Sequence, residues 1–161
     1  MTALATRRSG AVSGVAAPAL ASFAAALSLS ASIAHFGVAK PHFEDWWVHG
    51  AAFIAMGALQ ALLAALLVLR PRAASIALAG VAGNLAIVTM YVYSRTNGTP
   101  VGPHAGVPEP ARWFDLTTTG IGLVLVGTLI AMLGEDARRW GMRLVLLAGV
   151  GLWTGRIAGV M

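Results

Sequence analysis

The densest group of chemistry-bearing residues in this chain is a short segment with three histidines and two carboxylates. It contains His35, His42, Glu44, Asp45 and His49, so that the histidines recur every seven residues. Imidazole and carboxylate groups are ligands that zinc, copper, nickel and iron accept, and three or four at one depth would form a metal site. The chain has no cysteine, which excludes thiolate ligands. The segment therefore predicts a transition-metal site, with a histidine-ligated haem as the weaker alternative.

The spacing of these histidines matches no established metal motif, such as two histidines four residues apart on one helix. Pro41 lies between two of them and is expected to break the helix, so the sevenfold spacing does not define one helix face. A helical hairpin turning at Pro41 would still bring His35 and His49 to similar depths on adjacent helices. A purely structural interpretation is favoured over a metal or haem site, because histidine, tryptophan and acidic side chains suit the headgroup region and acidic residues suit a helix N-terminus.

A second candidate for function is the connection at residues 95–112, which contains four prolines and three glycines. A connection of this length inside a compact bundle is usually functional or disordered. We expect an ordered cap folded over one end of the bundle, in which His104 and Glu109 meet the hairpin residues. The candidate ligand residues are therefore His35, His42, Glu44, His49, His104, Glu109 and, at the start of the next apolar run, Asp115.

The elements that would position these residues are transmembrane helices. The 161 residues are 58% hydrophobic and 11% charged, with a mean hydropathy of +0.78. Soluble domains carry about a quarter charged residues, and a soluble chain of this size could not hide so much apolar surface. Apolar runs predict an all-α bundle of five spans in one domain, residues 15–161, after a disordered tail at residues 1–14. The spans are predicted at residues 15–37, 46–69, 73–94, 114–133 and 141–161.

The distribution of lysine and arginine predicts which side of the membrane each joint faces. One side receives seven basic residues, Arg7, Arg8, Arg70, Arg72, Arg138, Arg139 and Arg143; the other receives Lys40, Arg95, Arg112 and Arg156. Basic residues concentrate in short cytoplasmic joints, so the amino terminus is expected in the cytoplasm and all four histidines on the outer side. An alternative takes the first apolar run as a secretory signal cleaved after Ala34, which would make His35 the amino terminus.

Three polar residues lie within the predicted spans. Gln60 and Asn84 fall near the middle of the second and third spans, at depths within about 5 Å of each other. We expect them to face the interior and each other, because a side-chain amide facing lipid leaves its hydrogen-bonding groups unmet. A ligand or ion path is the alternative. Arg156 lies near the outer end of the last span and is expected to snorkel outward or to pair with Asp115.

The last span carries a glycine at every fourth position, Gly151, Gly155 and Gly159. This face lets helix backbones approach closely, so it predicts a packing contact with an internal helix or with a second protomer. No Gly-rich phosphate loop, Ser-His-Asp arrangement or nucleotide fingerprint appears, which argues against an enzyme. No basic patch alternates with exposed aromatics, which argues against nucleic-acid binding. The predicted partners are the lipid bilayer and either a homo-oligomer or a larger membrane complex.

Three segments in the middle of the chain are distinctive: residues 43–47 (FEDWW), the pair Gly83 and Asn84, and residues 95–103 (RTNGTPVGP). Through them, residues 35–115 resemble small, uncharacterised polytopic membrane proteins of actinobacteria. The resemblance covers half of the chain. It implies a multi-pass protein of the bacterial cytoplasmic membrane and implies no activity.

The sequence therefore leaves two functional hypotheses open. In the first, an extracytoplasmic pocket of histidines and carboxylates binds a metal or a small ligand. In the second, the protein is a non-catalytic accessory or scaffold subunit whose helices pack against a partner in a membrane complex.

Overall fold

The computed structural model describes residues 16–157 and contains five α-helices within that range. They are α1 (Ala16–Asp45), α2 (Trp47–Leu69), α3 (Ala74–Asn97), α4 (Trp113–Met132) and α5 (Glu135–Ile157). The all-helical class is confirmed, and α1 to α4 are long and apolar enough to cross a membrane. α5 is not among these four, and five charged residues lie in its first nine positions. The predicted tail at residues 1–14 lies outside the described residues, as does Gly159.

The first helix is longer than predicted, because it continues through Pro41 to Asp45. The expected turn at Pro41 is therefore wrong. A proline in a helix removes one N–H and crowds the carbonyl four residues earlier. That earlier residue is Gly37, which adds no side chain to the crowded turn. The chain turns instead at Trp46, whose backbone is extended (φ −163°, ψ 129°).

The first four helices form a four-sided bundle. α1 packs on α2 and α4, and α3 packs on α4 and less extensively on α2. No Cα atoms of α1 and α3 come within 8 Å of each other in the described chain, and the same holds for α2 and α4, so each pair lies on a diagonal of the bundle. α5 packs outside, against α3 and α4. We call the connection at residues 98–112, between α3 and α4, the cap, and the end of the bundle that carries it the cap end.

The hairpin of α1 and α2 is built from small residues and two phenylalanines. The ring of Phe36 lies over Gly57 and the ring of Phe43 over Gly50, in positions that a Cβ on either glycine would invade. Small residues let helix backbones approach closely, which is the main source of helix packing in lipid. The buried face of α1 accordingly consists of alanine and serine together with one histidine: Ala21, Ala24, Ala25, Ser28, Ala31, Ser32, His35 and Ala39.

The close-packed apolar core lies in the half of the bundle away from the cap. Its largest fully buried side chains are contributed by α2, α3 and α4 and by the residue after α4: Leu67, Val81, Leu125, Leu129 and Leu133. Leucines of α2 and α4 and a valine of α3 fill the space between the helices there.

A chain of hydrogen bonds crosses the middle of the bundle, and it confirms the predicted contact between Gln60 and Asn84. The amide nitrogen of Gln60 donates to Oδ1 of Asn84 at 2.9 Å, and both residues are 4% exposed. Asn84 donates in turn to the carbonyl of Gly80 at 2.9 Å, and Ser28 donates to Oε1 of Gln60 at 2.7 Å. Three helices are thus joined through one polar layer, in which each buried amide has a partner.

We predict that Gln60 and Asn84 are energetically coupled. Gln60→Leu or Asn84→Leu alone should lower the free energy of unfolding by about 1–2 kcal/mol, because each leaves the other amide without its partner. The double variant should lose less than the sum of the two, by roughly 0.5–1.5 kcal/mol. Unfolding of the detergent-solubilised protein measures this coupling. Thr117→Val, at an exposed position, is the control, and strictly additive losses would contradict the predicted interaction.

Candidate functional site

A cavity of about 310 Å³ lies between α1, α2, α3 and α4 at the cap end of the bundle. The polar layer of Gln60 and Asn84 lines its floor. Much of the wall is apolar and includes Phe53, Met56 and Val88. The volume is at the lower end of the range of about 300–1,000 Å³ that is usual for small-molecule sites. The space is therefore large enough for a small organic molecule.

Arg95, in the last turn of α3, organises the cap end. Its Nη1 lies 2.6 Å from Oε2 of Glu109 and its Nη2 lies 3.2 Å from Oδ2 of Asp115. The guanidinium also stacks over the ring of Tyr91, 4.9 Å from its centre. The Arg95 side chain is only 20% exposed, so the two carboxylates compensate a charge that is largely removed from water. Arg95 thereby ties the cap and the start of α4 to α3.

The pairing predicted between Asp115 and Arg156 is wrong. Asp115 binds Arg95, and its Oδ2 also accepts a hydrogen bond from the backbone N–H of Arg112 at 3.3 Å, at the start of α4. Arg156 is exposed on α5 and forms no ion pair with any residue that the structure describes. Asp115 is therefore held by two donors close to the start of α4, namely the Arg95 guanidinium at the end of α3 and the backbone N–H of Arg112.

A second set of polar contacts, centred on Asp45, joins the cap to the hairpin of α1 and α2. Its Oδ2 lies 3.2 Å from Nδ1 of His49, and its Oδ1 lies 3.1 Å from Nε2 of His104. The other ring nitrogen of His49 lies 3.3 Å from the carbonyl oxygen of Val101 in the cap. The expectation of an ordered cap is confirmed, as is the contact of His104 with the hairpin. Glu109 does not meet the hairpin as predicted, since Arg95 holds it.

Gly102 marks the closest approach of the cap to the hairpin. Its φ of +108° lies in the region that favours glycine. A Cβ there would come within 2.8 Å of the ring of Trp46 and 3.1 Å of the ring of His49. A larger residue would therefore push the cap away from these two rings.

Five of the seven predicted ligand residues line the cavity: His35, His42 and His49 on α1 and α2, and Glu109 and Asp115 beside Arg95. They do not converge on one point. The Nδ1 of His42 is 2.7 Å from the carbonyl oxygen of Val38, and its ring lies against Phe53 with 3.9 Å between centres. Glu44 is exposed and lies only near Lys40, at 4.0 Å. Within residues 16–157, no group of three or more histidine or acidic side chains could hold a metal ion, so the predicted metal site has no support there.

The sequence did not reveal a set of polar atoms at the end of α3 and the start of the cap that have no hydrogen-bond partner in the described chain. Tyr91 and Arg95 lie four residues apart and therefore on one face of α3. The hydroxyl oxygen of Tyr91, Nε of Arg95 and Oγ1 of Thr99 are closed to water and have no hydrogen-bond partner in the described chain. All three residues line the cavity. The four-residue spacing was visible in the sequence, but it does not reveal which groups stay unpaired.

Comparison with known proteins adds no family to this picture. No protein-family model, curated protein or solved structure matches the chain. The resemblance to actinobacterial membrane proteins stays a prediction. The function must therefore be argued from the cavity and its surroundings.

We predict that Asp45 holds the cap closed. Asp45→Asn removes the negative charge and one of the two acceptor oxygens, which weakens the contacts with His49 and His104. Hydrogen exchange in the cap should become about three- to tenfold faster, as expected for losing the equivalent of one hydrogen bond. Glu44→Gln is the matched control, because the neighbouring carboxylate does not touch the cap. Equal exchange rates in the two variants would show that Asp45 does not hold the cap.

Proposed function

We propose that this protein binds a small organic molecule in the cavity at the cap end, on the extracytoplasmic side of a bacterial cytoplasmic membrane. The role is binding and not catalysis. The observation that carries the proposal is a cavity of about 310 Å³ lined by four helices and by the first residues of a cap that Arg95 and Asp45 hold in place. Arg95 and Asp45 hold the cap through two separate sets of polar contacts. These contacts favour a binding site beneath the cap over a connection that only links two helices.

The contrast between the two halves of the bundle supports this proposal. Helices in lipid associate mainly by close packing, and the half away from the cap achieves it with fully buried leucines. The half at the cap end leaves a space between the helices instead, and a bound molecule would supply the packing there. The bound species is organic in this proposal because the described side chains offer no cluster of metal ligands.

We further propose five spans, with the amino terminus in the cytoplasm and the cap outside. The count of basic residues supports this orientation, seven against four. α5 carries its charges at the start, and beyond them its large apolar side chains are exposed. Those include Leu146, Leu147, Val150 and Trp153, which lipid would cover. The fifth helix would then cross the membrane and return the chain to the outer side.

We predict that reporter fusions will alternate along the chain. Fusions at residues 40, 71, 105 and 137 should lie outside, inside, outside and inside, and a fusion after the last residue should lie outside. Paired alkaline phosphatase and fluorescent-protein reporters measure each position, and each reporter is the control for the other. A cytoplasmic reporter after the last residue would contradict the fifth span, and a cap inside the cell would contradict the proposed side of the cavity.

The second candidate function is that of an accessory subunit in a membrane complex. A specific observation favours it: on α5, a Cβ at Gly151 would meet nothing within 4 Å, so this glycine packs on no other part of the described chain. Glycine on an open helix face suits close packing with another helix. In this alternative no ligand occupies the cavity. A substitution that fills the cavity would then leave the protein's assembly with its partner and its other properties unchanged.

We predict that filling the cavity abolishes binding of a neutral apolar probe. The dye N-phenyl-1-naphthylamine, which brightens in apolar surroundings, should bind saturably to the protein in lipid nanodiscs after subtraction of protein-free discs. Ala34→Phe, in the cavity wall, should weaken this binding at least tenfold because its ring occupies the space. Ala58→Phe adds the same ring at an exposed position of α2 and should not. Equal binding by both variants, or no saturable binding by the parent protein, would contradict a ligand cavity.

A further inference from the structure

The histidine wall of the cavity contains one imidazole without a hydrogen bond. His49 has a partner for both ring nitrogens, and His42 has one for Nδ1. His35 lines the cavity, is 6% exposed, and makes no hydrogen bond with any residue of the described chain. Its one ring contact is with Phe53, 5.9 Å away between centres. A buried polar side chain normally has a hydrogen-bond partner, so His35 is placed to bind one that enters the cavity.

The opposite wall presents a second set of unmet polar atoms. The hydroxyl oxygens of Tyr91 and Thr99 and the Nε of Arg95 have no partner in the described chain, and their residues line the cavity at the end of α3 and the start of the cap. All three carry a hydrogen that can be donated. A small rotation of the Tyr91 or Thr99 side chain would bring its hydroxyl to an incoming oxygen atom. Side-chain adjustments of this kind are common on binding.

The charges of this wall disfavour an anionic ligand. Each terminal nitrogen of Arg95 already donates to a carboxylate, one to Glu109 and one to Asp115. An anion that reached the remaining N–H groups, such as that of Nε, would lie beside these two carboxylates, which repel it. One positive and two negative groups leave a local charge of −1, which also repels an anion. A cation would have to compete with Arg95 for the same two carboxylates.

The two sets of polar atoms lie on different sides of an apolar space. His35 belongs to α1, whereas Tyr91 and Arg95 belong to α3, and no Cα atoms of these two helices come within 8 Å of each other in the described chain. The apolar lining of the cavity includes Phe53, Met56 and Val88. A molecule that satisfies both walls must therefore have a polar group at each of two ends and an apolar body between them.

We infer that the cavity binds an uncharged ring-sized molecule with carbonyl or hydroxyl oxygens at two opposite ends, of which a quinone or hydroquinone is the simplest example. This inference rests on the proposed function, because it names the chemistry of the molecule in the same cavity. One oxygen accepts from Tyr91, Thr99 or Nε of Arg95, and the other pairs with the imidazole of His35. No electron or group transfer is part of the inference.

Three probes of similar ring size separate this chemistry from a generic apolar pocket. They are 2-methyl-1,4-naphthoquinone, which is neutral with two opposed oxygens, 2-methylnaphthalene, which has none, and 2-naphthoate, which is an anion. Binding to the protein in nanodiscs is measured by equilibrium dialysis, with partition into protein-free discs subtracted. We expect saturable binding of the quinone, at least tenfold weaker binding of the hydrocarbon, and no saturable binding of the anion.

Single-atom variants identify the polar partners. Tyr91→Phe removes only the hydroxyl and should weaken quinone binding about three- to tenfold, the usual effect of one hydrogen bond. Because that hydroxyl has no partner in the empty cavity, the variant should not lower the thermal unfolding temperature. Tyr93→Phe is the matched control two residues away, outside the cavity wall, and should change quinone binding less than twofold. His35→Phe should weaken the quinone by a factor similar to that of Tyr91→Phe and leave the hydrocarbon unaffected.

The outcomes separate this inference from the proposed function. Equal affinities for the quinone and the hydrocarbon would overturn the inference while leaving a ligand cavity in place, and so would equal effects of Tyr91→Phe and Tyr93→Phe. Tight binding of 2-naphthoate would also overturn it, because the charge argument would then be wrong. If no probe binds saturably, including the neutral dye, the inference and the proposed function both fail.

Discussion

The ion pairs of Arg95 are the constraint on which the cap end of this bundle depends. A guanidinium that is four-fifths buried needs compensation, and two carboxylates from different parts of the chain provide it, Glu109 in the cap and Asp115 in the first turn of α4. Removing one partner from a buried pair leaves an uncompensated charge, which is far more costly than the pair is stabilising. The chain is therefore held against the end of α3, and the cap closes over the space between the helices.

That space exists because the rest of the bundle is already fixed. Leucines of α2 and α4 fill the half away from the cap, and the polar layer through Ser28, Gln60 and Asn84 joins three helices at the middle. The backbones of the diagonal helices α1 and α3 do not approach closely, since no pair of their Cα atoms lies within 8 Å. The cavity is thus bounded by a hydrogen-bonded floor and a tethered cap, and such constraints preorganise a binding site.

Much of the fold follows from the sequence, because apolar runs of membrane-spanning length have few structural solutions. The contact of Gln60 with Asn84 was also predictable, since both amides lie at one depth and lipid offers them no partner. Pro41 was misleading because proline only disfavours a helix, and packing of α1 against α2 outweighs it here. The partner of Asp115 was not predictable, because both Arg95 and Arg156 lie near the same predicted interface and only the folded connection brings one of them close. The histidine spacing identified three residues that line the cavity, but it did not show that their side chains fail to converge on one point.

Access to the cavity tests the role of Arg95 most directly, and the absence of native cysteine makes the measurement clean. A single cysteine, Ala34→Cys, is placed in the cavity wall and labelled with a membrane-impermeant maleimide. Labelling should be slow in the parent background and at least tenfold faster with Arg95→Gln. It should be unchanged with Arg112→Gln, which alters an exposed arginine at the far end of the cap. A Leu125→Cys reporter in the core should stay unreactive throughout, which excludes general unfolding. Equal labelling with and without Arg95 would contradict the account.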